Sequence, residues 1–442
     1  MKKTQIALCT LYGVLYAAVA NAYVAVAADL RLLYGVLPLF VLINGLAGVF
    51  AVKTRRWRIR EVHHGAVLLT AFLISTGVSV VVHTVLAFQM IPEDWRTLLW
   101  SAVYCIVAEA ILFWNGILCV YAASLQLGIK QRVIGAICGF IPVANLIVLV
   151  RILRICLREV DTETAKERVN RARQADRVCA TRYPLLLVHG VFFRDTRAFN
   201  YWGRIPRELK QNGATVHYGN HGSAASVADS AAELARRIRE IVAQTGCEKV
   251  NIIAHSKGGL DCRYALAHLD VAPYVASLTT INTPHRGCLF ADYLLTKVSP
   301  DLQNKVAGAY NGALKRLGDT DPDFLAAVNN LTAAFCTQFD EDTPAPEGVY
   351  CRSVGSLLGR ARNGMFPLNF SYHLVKLFDG SNDGLVSEAS FKWGEDYTLL
   401  ASPGDEGISH GDMIDLNRRD VEGFDVRVFY VGLVRDLKEK GL

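Results

Sequence analysis

Ser256 is the residue of this sequence best placed to act as a nucleophile. It closes the apolar run Val250-Asn251-Ile252-Ile253-Ala254-His255, and Lys257-Gly258-Gly259 leads from it into a helix-like segment, Leu260 to Leu269. A strand that breaks at a serine and turns straight into a helix is the pattern of a strained elbow that lifts the hydroxyl above a sheet. The turn brings the two backbones together, so the positions two before and two after the serine must be small. Here they are Ala254 and Gly258. A serine of this kind needs a base, and the base needs a carboxylate to hold its tautomer. Downstream stand Asp383, in Ser381-Asn382-Asp383-Gly384, and His410, in Ser409-His410-Gly411-Asp412. Asp379 is the alternative acid and otherwise reads as a turn cap. His217, His221, His268, His285 and His373 read as structural or surface histidines, because none has the required place after both serine and acid. Upstream, Leu185-Leu186-Leu187-Val188 running into His189-Gly190-Val191 reads as a buried parallel strand opening into a loop. The backbone N–H groups of Val191 and Lys257 are then the candidate oxyanion donors, while the His189 side chain reads as a loop-bonding residue.

Taken together, residues from about 182 to 420 resemble the bacterial serine lipases of the Pseudomonas/Burkholderia and Bacillus kind. The matching pieces are YPLLLVHG, KVNIIAHSKGGLDCRYAL, LTTINTPHRG, SNDGLVS and SHGD, in that order along the chain. The resemblance implies an α/β-hydrolase fold and carboxyl-ester hydrolysis. It implies Ser256 as nucleophile, Asp383 as acid and His410 as base, with oxyanion donors at Val191 and Lys257. Several of those lipases hold a structural calcium beside the catalytic histidine. Asp412 matches one ligand position, but Leu416 stands where a side-chain oxygen would be needed. Neither a metal nor a cofactor is therefore expected.

The elements that must position these residues are legible in part. Ser223 to Gly246 reads as an amphipathic helix, with Val227, Ala231, Leu234, Ile238 and Ile241 on one face. Val275 to Ile281 reads as a strand that ends at Asn282-Thr283-Pro284. Strand, helix, strand, helix, strand predicts a mostly parallel sheet with helices on both faces. Between about 288 and 348 the strand signal is replaced by helical patterns near Leu302–Leu317 and Asp323–Phe335, then an acidic, Pro-containing loop, Asp340 to Pro346. An insertion at that place suits a helical lid.

The remaining third of the chain is different in kind. The sequence has 442 residues, 52% of them hydrophobic, and the apolar ones concentrate in residues 1–156. Ile6–Ala28, Leu33–Val52, Ala66–Met90 and Thr97–Ala123 are each long enough to span a bilayer, which takes about 20 apolar residues. Glu109 is the exception inside the fourth, and an acid at such a place is a functional or helix-pairing candidate. The first stretch, after Lys2 and Lys3, reads as an uncleaved anchor rather than a signal peptide. A fifth stretch, Val133–Val150, contains Gly135, Gly139 and Pro142 and can either span or re-enter. The expected organisation is thus an α-helical transmembrane domain (1–156), a charged linker (157–181) and an α/β-hydrolase domain (182–442).

Lysines and arginines set the expected sidedness. Lys53, Arg55, Arg56, Arg58 and Arg60 should stay in the cytoplasm, and the basic residues after Val150 favour a cytoplasmic-facing hydrolase. The net charge of +6 does not indicate nucleic acid, because Glu159, Asp161, Glu163, Glu167 and Asp176 are interleaved with the basic residues of 151–177. That segment reads instead as a solvated helix beside an anionic lipid surface. The expectation is a multi-pass membrane protein, anchored beside its substrate, that cleaves lipid or acyl esters. Two alternatives remain open at this point: an acyltransferase or thioesterase using the same triad, and a non-catalytic scaffold that binds lipid. Oligomeric state and acyl preference are not legible.

Overall fold

The apolar run Leu185-Leu186-Leu187-Val188 forms β1 (Leu185–Val188), buried along its whole length. In the computed structural model, which describes residues 3–91, 94–139, 141, 143–191, 200–222, 224–316, 322–365, 368–402 and 405–442, the chain divides into two units, Met1–Arg171 and Ala172–Leu442.

The C-terminal unit is built on a parallel sheet of strands β1, β2 (Val216–Tyr218), β3 (Val250–His255), β4 (Val275–Ile281), β5 (Tyr350–Ser356) and β6 (Asp396–Leu400). Their spatial order is β2-β1-β3-β4-β5-β6, and every neighbouring pair is parallel. Side chains of a strand point alternately to the two faces, and β1 shows what that does. Leu185 and Leu187 join one core, with Trp202, Tyr430 and Val434, while Leu186 and Val188 join the other, with Leu234, Ile238 and Ala265.

Helices cover both faces, as the strand and helix alternation predicts. The sequence expectation of a helix from Ser223 to Gly246 is met over Val227–Thr245, and Ser223 itself lies outside the described residues. Ser226 sets the start, its side chain accepting a hydrogen bond from the Asp229 N–H. Gly246, at φ 68°, sets the end by taking the left-handed conformation. Val227, Ala231, Leu234, Ile238 and Ile241 are all buried.

The region of 288–348 departs from expectation in detail. It holds α11 (Leu289–Lys297), α12 (Pro300–Arg316), α13 (Phe324–Asn329) and α14 (Ala333–Asp342). The pattern read as one helix near Asp323–Phe335 is split, because Thr332 is fixed in extended backbone by a bridge to Cys288 and caps α14 through Phe335 N. The acidic residues read as a loop from Asp340 are instead the last turn of α14. Leu317, the expected end of the preceding helix, lies outside the described residues. The other helices of this unit are α8 (Ile205–Gln211), α9 (Val227–Thr245), α10 (Lys257–His268), α15 (Leu368–Asp379) and α16 (Val426–Glu439).

The N-terminal unit is helical: α1 (Lys3–Ala20), α2 (Tyr23–Ala28), α3 (Leu33–Leu46), α4 (Trp57–Met90), α5 (Trp95–Ala123), α6 (Gly128–Cys138) and α7 (Ala144–Arg173). Two of these, α4 and α5, are long and apolar enough to cross a membrane by length and composition. The stretches Ile6–Ala28 and Leu33–Val52 do not form single long helices. The first breaks where Asn21 donates to Ala17 O and Ser79 Oγ, both at 2.8 Å. The second stops at Leu46, where His63 and His64 hydrogen-bond the carbonyls of Gly48 and Ala47. Glu109 is buried against Ser75, Thr76 and Ser79 on α4. The fifth stretch is broken in two, α6 and the start of α7, with Val143 at φ 69° between them. Pro142 lies outside the described residues.

Candidate active site

Ser256 sits between the last residue of β3 and the first of α10, at φ 56° and ψ −134°. A non-glycine residue in this region is strained and persists only where its surroundings hold it. The hold comes from both sides. The Ser256 N–H donates to Ile281 O of β4 at 2.9 Å, and the Ser256 carbonyl accepts from Thr283 Oγ1 at 2.8 Å. The demand for a small residue two places on is visible, since a Cβ on Gly258 would lie 2.4 Å from His189 O. The loop after β1 approaches just as closely, because a Cβ on Gly190 would lie 2.7 Å from Ser256 Cβ. Val191 follows directly in the chain, and Lys257 supplies the first N–H of α10.

Asp383 and His410, remote in sequence, are brought together. His410 Nδ1 lies 2.6 Å from Asp383 Oδ2, and the His410 backbone N–H donates to Asp383 O at 2.9 Å. With Nδ1 donating in that contact, Nε2 is the ring nitrogen left to accept a proton. Asp383 is fully buried, and its other oxygen accepts the N–H groups of Leu385 (2.8 Å) and Val386 (2.7 Å). The alternative acid, Asp379, is occupied elsewhere, its carboxylate accepting the N–H groups of Leu289 and Phe290 at the start of α11.

Four supporting residues were not singled out from the sequence. Asn282, at the end of β4, donates to Asp383 Oδ2 at 2.5 Å and to Ser356 Oγ at 2.7 Å. Tyr201 links two pieces of the site, with its hydroxyl 3.0 Å from Gly190 N and 2.7 Å from His255 Nδ1. The His255 ring lies 4.4 Å from that of His410, and burial, reinforced by His410, holds His255 well below the usual histidine range. Asp261 forms a buried ion pair with Lys257 Nζ at 2.6 Å, and burial pushes its carboxyl up to about 6 against the pull of that lysine. For Asn282 and His255 the only sequence signal was a polar residue at the end of an apolar run, and Tyr201 and Asp261 carried none.

His189, His221 and His285 lie in the scaffold, whereas His268 and His373 are exposed. His189 bonds Gly190 O and stacks on His221 at 4.0 Å. His285 is buried against Thr280 and Trp393. Asp412 accepts from Ser409 N and Oγ and from Arg419 Nη2, at 3.0, 2.6 and 3.3 Å. A guanidinium thus lies against the carboxylate that would be a calcium ligand. Among the described residues no group of three or more His, Cys, Asp or Glu could hold a metal ion.

Residues 183–332 match the family model described as alpha/beta hydrolase fold. A triacylglycerol lipase of Pseudarthrobacter phenanthrenivorans is 38% identical over 184 residues, 39% of this chain and 57% of that protein. A triacylglycerol lipase of Vibrio cholerae is 32% identical over 240 residues, 49% of this chain and 75% of that protein. One of Pseudomonas fragi is 30% identical over 301 residues, 59% of this chain and 98% of that protein. The chain spans little more than half the length of the first of these relatives.

Proposed function

The chain belongs to the triacylglycerol lipase family of the alpha/beta hydrolase fold, and from that premise we propose that it is a membrane-anchored serine hydrolase acting on carboxyl esters of lipids. Ser256 Oγ attacks the acyl carbonyl while His410 Nε2 takes its proton. The charge that develops on the carbonyl oxygen is met by the N–H groups of Val191 and Lys257. His410 returns the proton to the departing alcohol, an acyl-enzyme remains on Ser256, and a water activated by the same nitrogen releases the acid. Asp383 keeps Nδ1 protonated and stabilises the imidazolium at each proton transfer.

The observation that carries this reading is the 2.6 Å contact between His410 Nδ1 and Asp383 Oδ2, in the unit where Ser256 occupies a strained strand-to-helix turn. Anchoring is supported by α4 and α5, each long and apolar enough to span a bilayer. The helices α11 to α14 are read as a lid. The orientation consistent with the basic loop Lys53–Arg60 puts the hydrolase unit on the cytoplasmic side. A serine-reactive phosphonate tests the chemistry. Stoichiometric labelling of the full chain, lost in Ser256→Ala, is expected. An unlabelled, folded wild-type protein would leave a lipid-binding scaffold as the better reading.

A further inference from the structure

The segment that joins the two units enters and leaves the N-terminal unit at one place. The loop before α6 and the second half of α7 are held together by one carboxylate. Glu159 Oε2 accepts from Ser124 Oγ at 2.6 Å and Gln126 N at 3.3 Å, and Oε1 accepts from Leu125 N at 3.2 Å. Gly128, where α6 begins, is only two residues beyond Gln126. The chain therefore returns, thirty-one residues later at Glu159, to the level it left at Gly128. It does not cross in between. α6 has 11 residues, about 16 Å at 1.5 Å each, and Ala144 to Glu159 rises about 22 Å. Both are short of the ~30 Å hydrocarbon core.

The basic loop is fastened to the same level. Arg58 Nη1 meets Glu159 Oε1 at 2.5 Å, Arg56 pairs with Glu163, and Thr54 Oγ1 and Arg55 N bond Glu167. Glu159, Glu163 and Glu167 recur every four residues, so one face of α7 carries all three. Glu159 and Glu163 are buried. Above them Leu149, Ile152, Leu153 and Cys156 pack against Ile59, Val62 and Ala66 of α4 and Ile117 and Val120 of α5.

The opposite face of α7 changes character within one turn. Leu146, Ile147 and Val150 are exposed apolar side chains; Arg151, Arg154 and Arg158 are exposed, with Lys130 at the start of α6. None of these four cations has a hydrogen-bond or ion-pair partner among the described residues, whereas Arg56 and Arg58 are paired. An apolar surface bordered by unpaired cations at the mouth of a non-crossing hairpin matches a hydrocarbon core bordered by phosphates.

We propose that α6 and α7 form a re-entrant hairpin whose neck grips anionic phospholipid headgroups through Lys130, Arg151, Arg154 and Arg158. Guanidinium groups bind phosphate oxygens in pairs, and their aliphatic stems lie along the acyl region while the charges reach the headgroups. The hairpin returns the chain to the side that holds the basic loop, so residue 172 onward leaves on that side. The proposal rests on the membrane reading of residues 1–171 and is independent of the hydrolytic one.

The full chain tests both parts. Epitope tags after Ala51, in the exposed turn before the basic loop, and after Leu442 are to be probed with protease in sealed bacterial cells stripped of their outer envelope. Both tags should be protected together. One tag cut and the other protected overturns the hairpin, whereas a chain released from membranes by salt and carbonate overturns the membrane reading beneath it. Delipidated wild-type protein offered phosphatidylglycerol or phosphatidylcholine, with bound lipid counted by native mass spectrometry, should retain the anionic lipid with roughly tenfold preference. Equal retention overturns the neck. In R151Q/R154Q/R158Q the preference should collapse while turnover of a short water-soluble ester is kept. If that variant fails to fold, the wild-type comparison still decides.

Discussion

Asp383 has no freedom to choose partners. Its Oδ1 is fixed by two backbone N–H groups and its Oδ2 by Asn282 and His410. In the proposed mechanism Ser256→Ala removes the attacking atom, and turnover of a soluble ester should fall roughly 10³-fold or more with the melting temperature kept. Asn282 acts at one remove, as a positioning residue. A hydrogen bond to a charged group is worth about 1.5–3 kcal/mol, so Asn282→Ala should lower kcat roughly 10- to 100-fold with KM little changed; an unaltered kcat would refute the role. The candidates Ser256, Asp383 and His410 could be picked out from the sequence because local patterns mark them. Asn282 was not, because its partner lies 101 residues away and Asn282-Thr283-Pro284 reads locally as a strand end. Titration should also be visible. His255 and His285 are held well below 6.5 by burial, so below about pH 6.5 the unfolded chain binds protons that the folded one refuses. Their contribution is present above that pH and lost as pH falls. Asp261 opposes them, since its raised value means the folded state keeps a proton between 3.8 and about 6. Two histidines outweigh one carboxyl, so unfolding free energy should drop on acidification from about pH 7 to 5. His285→Gln should make that slope shallower, as read from denaturant titrations across the range.

Helix α11 depends on Asp379, whose carboxylate accepts the first two N–H groups of the helix, Leu289 and Phe290. An acid at a helix start satisfies orphan donors and complements the dipole. Asp379→Ala should therefore cost about 1 kcal/mol of stability while leaving kcat on a short ester unchanged. A large loss of kcat would return Asp379 to candidacy as the acid. The turn-capping alternative for this residue was available from Asp379-Gly380-Ser381 alone; which helix it caps was not. The elbow and α9 were legible because their signals are local: an apolar run broken at Ser256, and a stripe bounded by Ser226 and Gly246. The split between α13 and α14 was not. It depends on the Cys288 to Thr332 bridge, a tertiary contact that overrides the helical pattern of Asp323–Phe335. The same reason explains α1 and α3. Hydropathy sees a continuous apolar stretch, whereas Asn21 and the His63 and His64 rings end the helices by hydrogen bonds across the bundle.

At the scale of the molecule, the two units have cores of opposite logic. In the C-terminal unit apolar side chains turn inward on both faces of the sheet. In the N-terminal unit they also turn outward: Phe88, Trp100, Ile106, Trp114 and Leu118 of α4 and α5 are more than half exposed. Surface of that kind is costly in water and free in lipid. Every residue of the proposed machinery, Ser256, Asp383, His410, Val191, Lys257 and Asn282, lies after Ala172, and both apolar cores of the sheet are drawn from Cys179 onward. A chain beginning at Ala172 should therefore fold, remain soluble without detergent and turn over short, water-soluble esters near the rate of the full protein. On esters presented in vesicles it should be slower, because anchoring raises the local concentration of a membrane substrate without altering the catalytic groups. Ultracentrifugation and paired assays on soluble and vesicle-borne esters read both expectations. A soluble, folded fragment inactive on every short ester would mean that residues 1–171 contribute directly to the site, and equal rates on vesicles would remove the reason for an anchor.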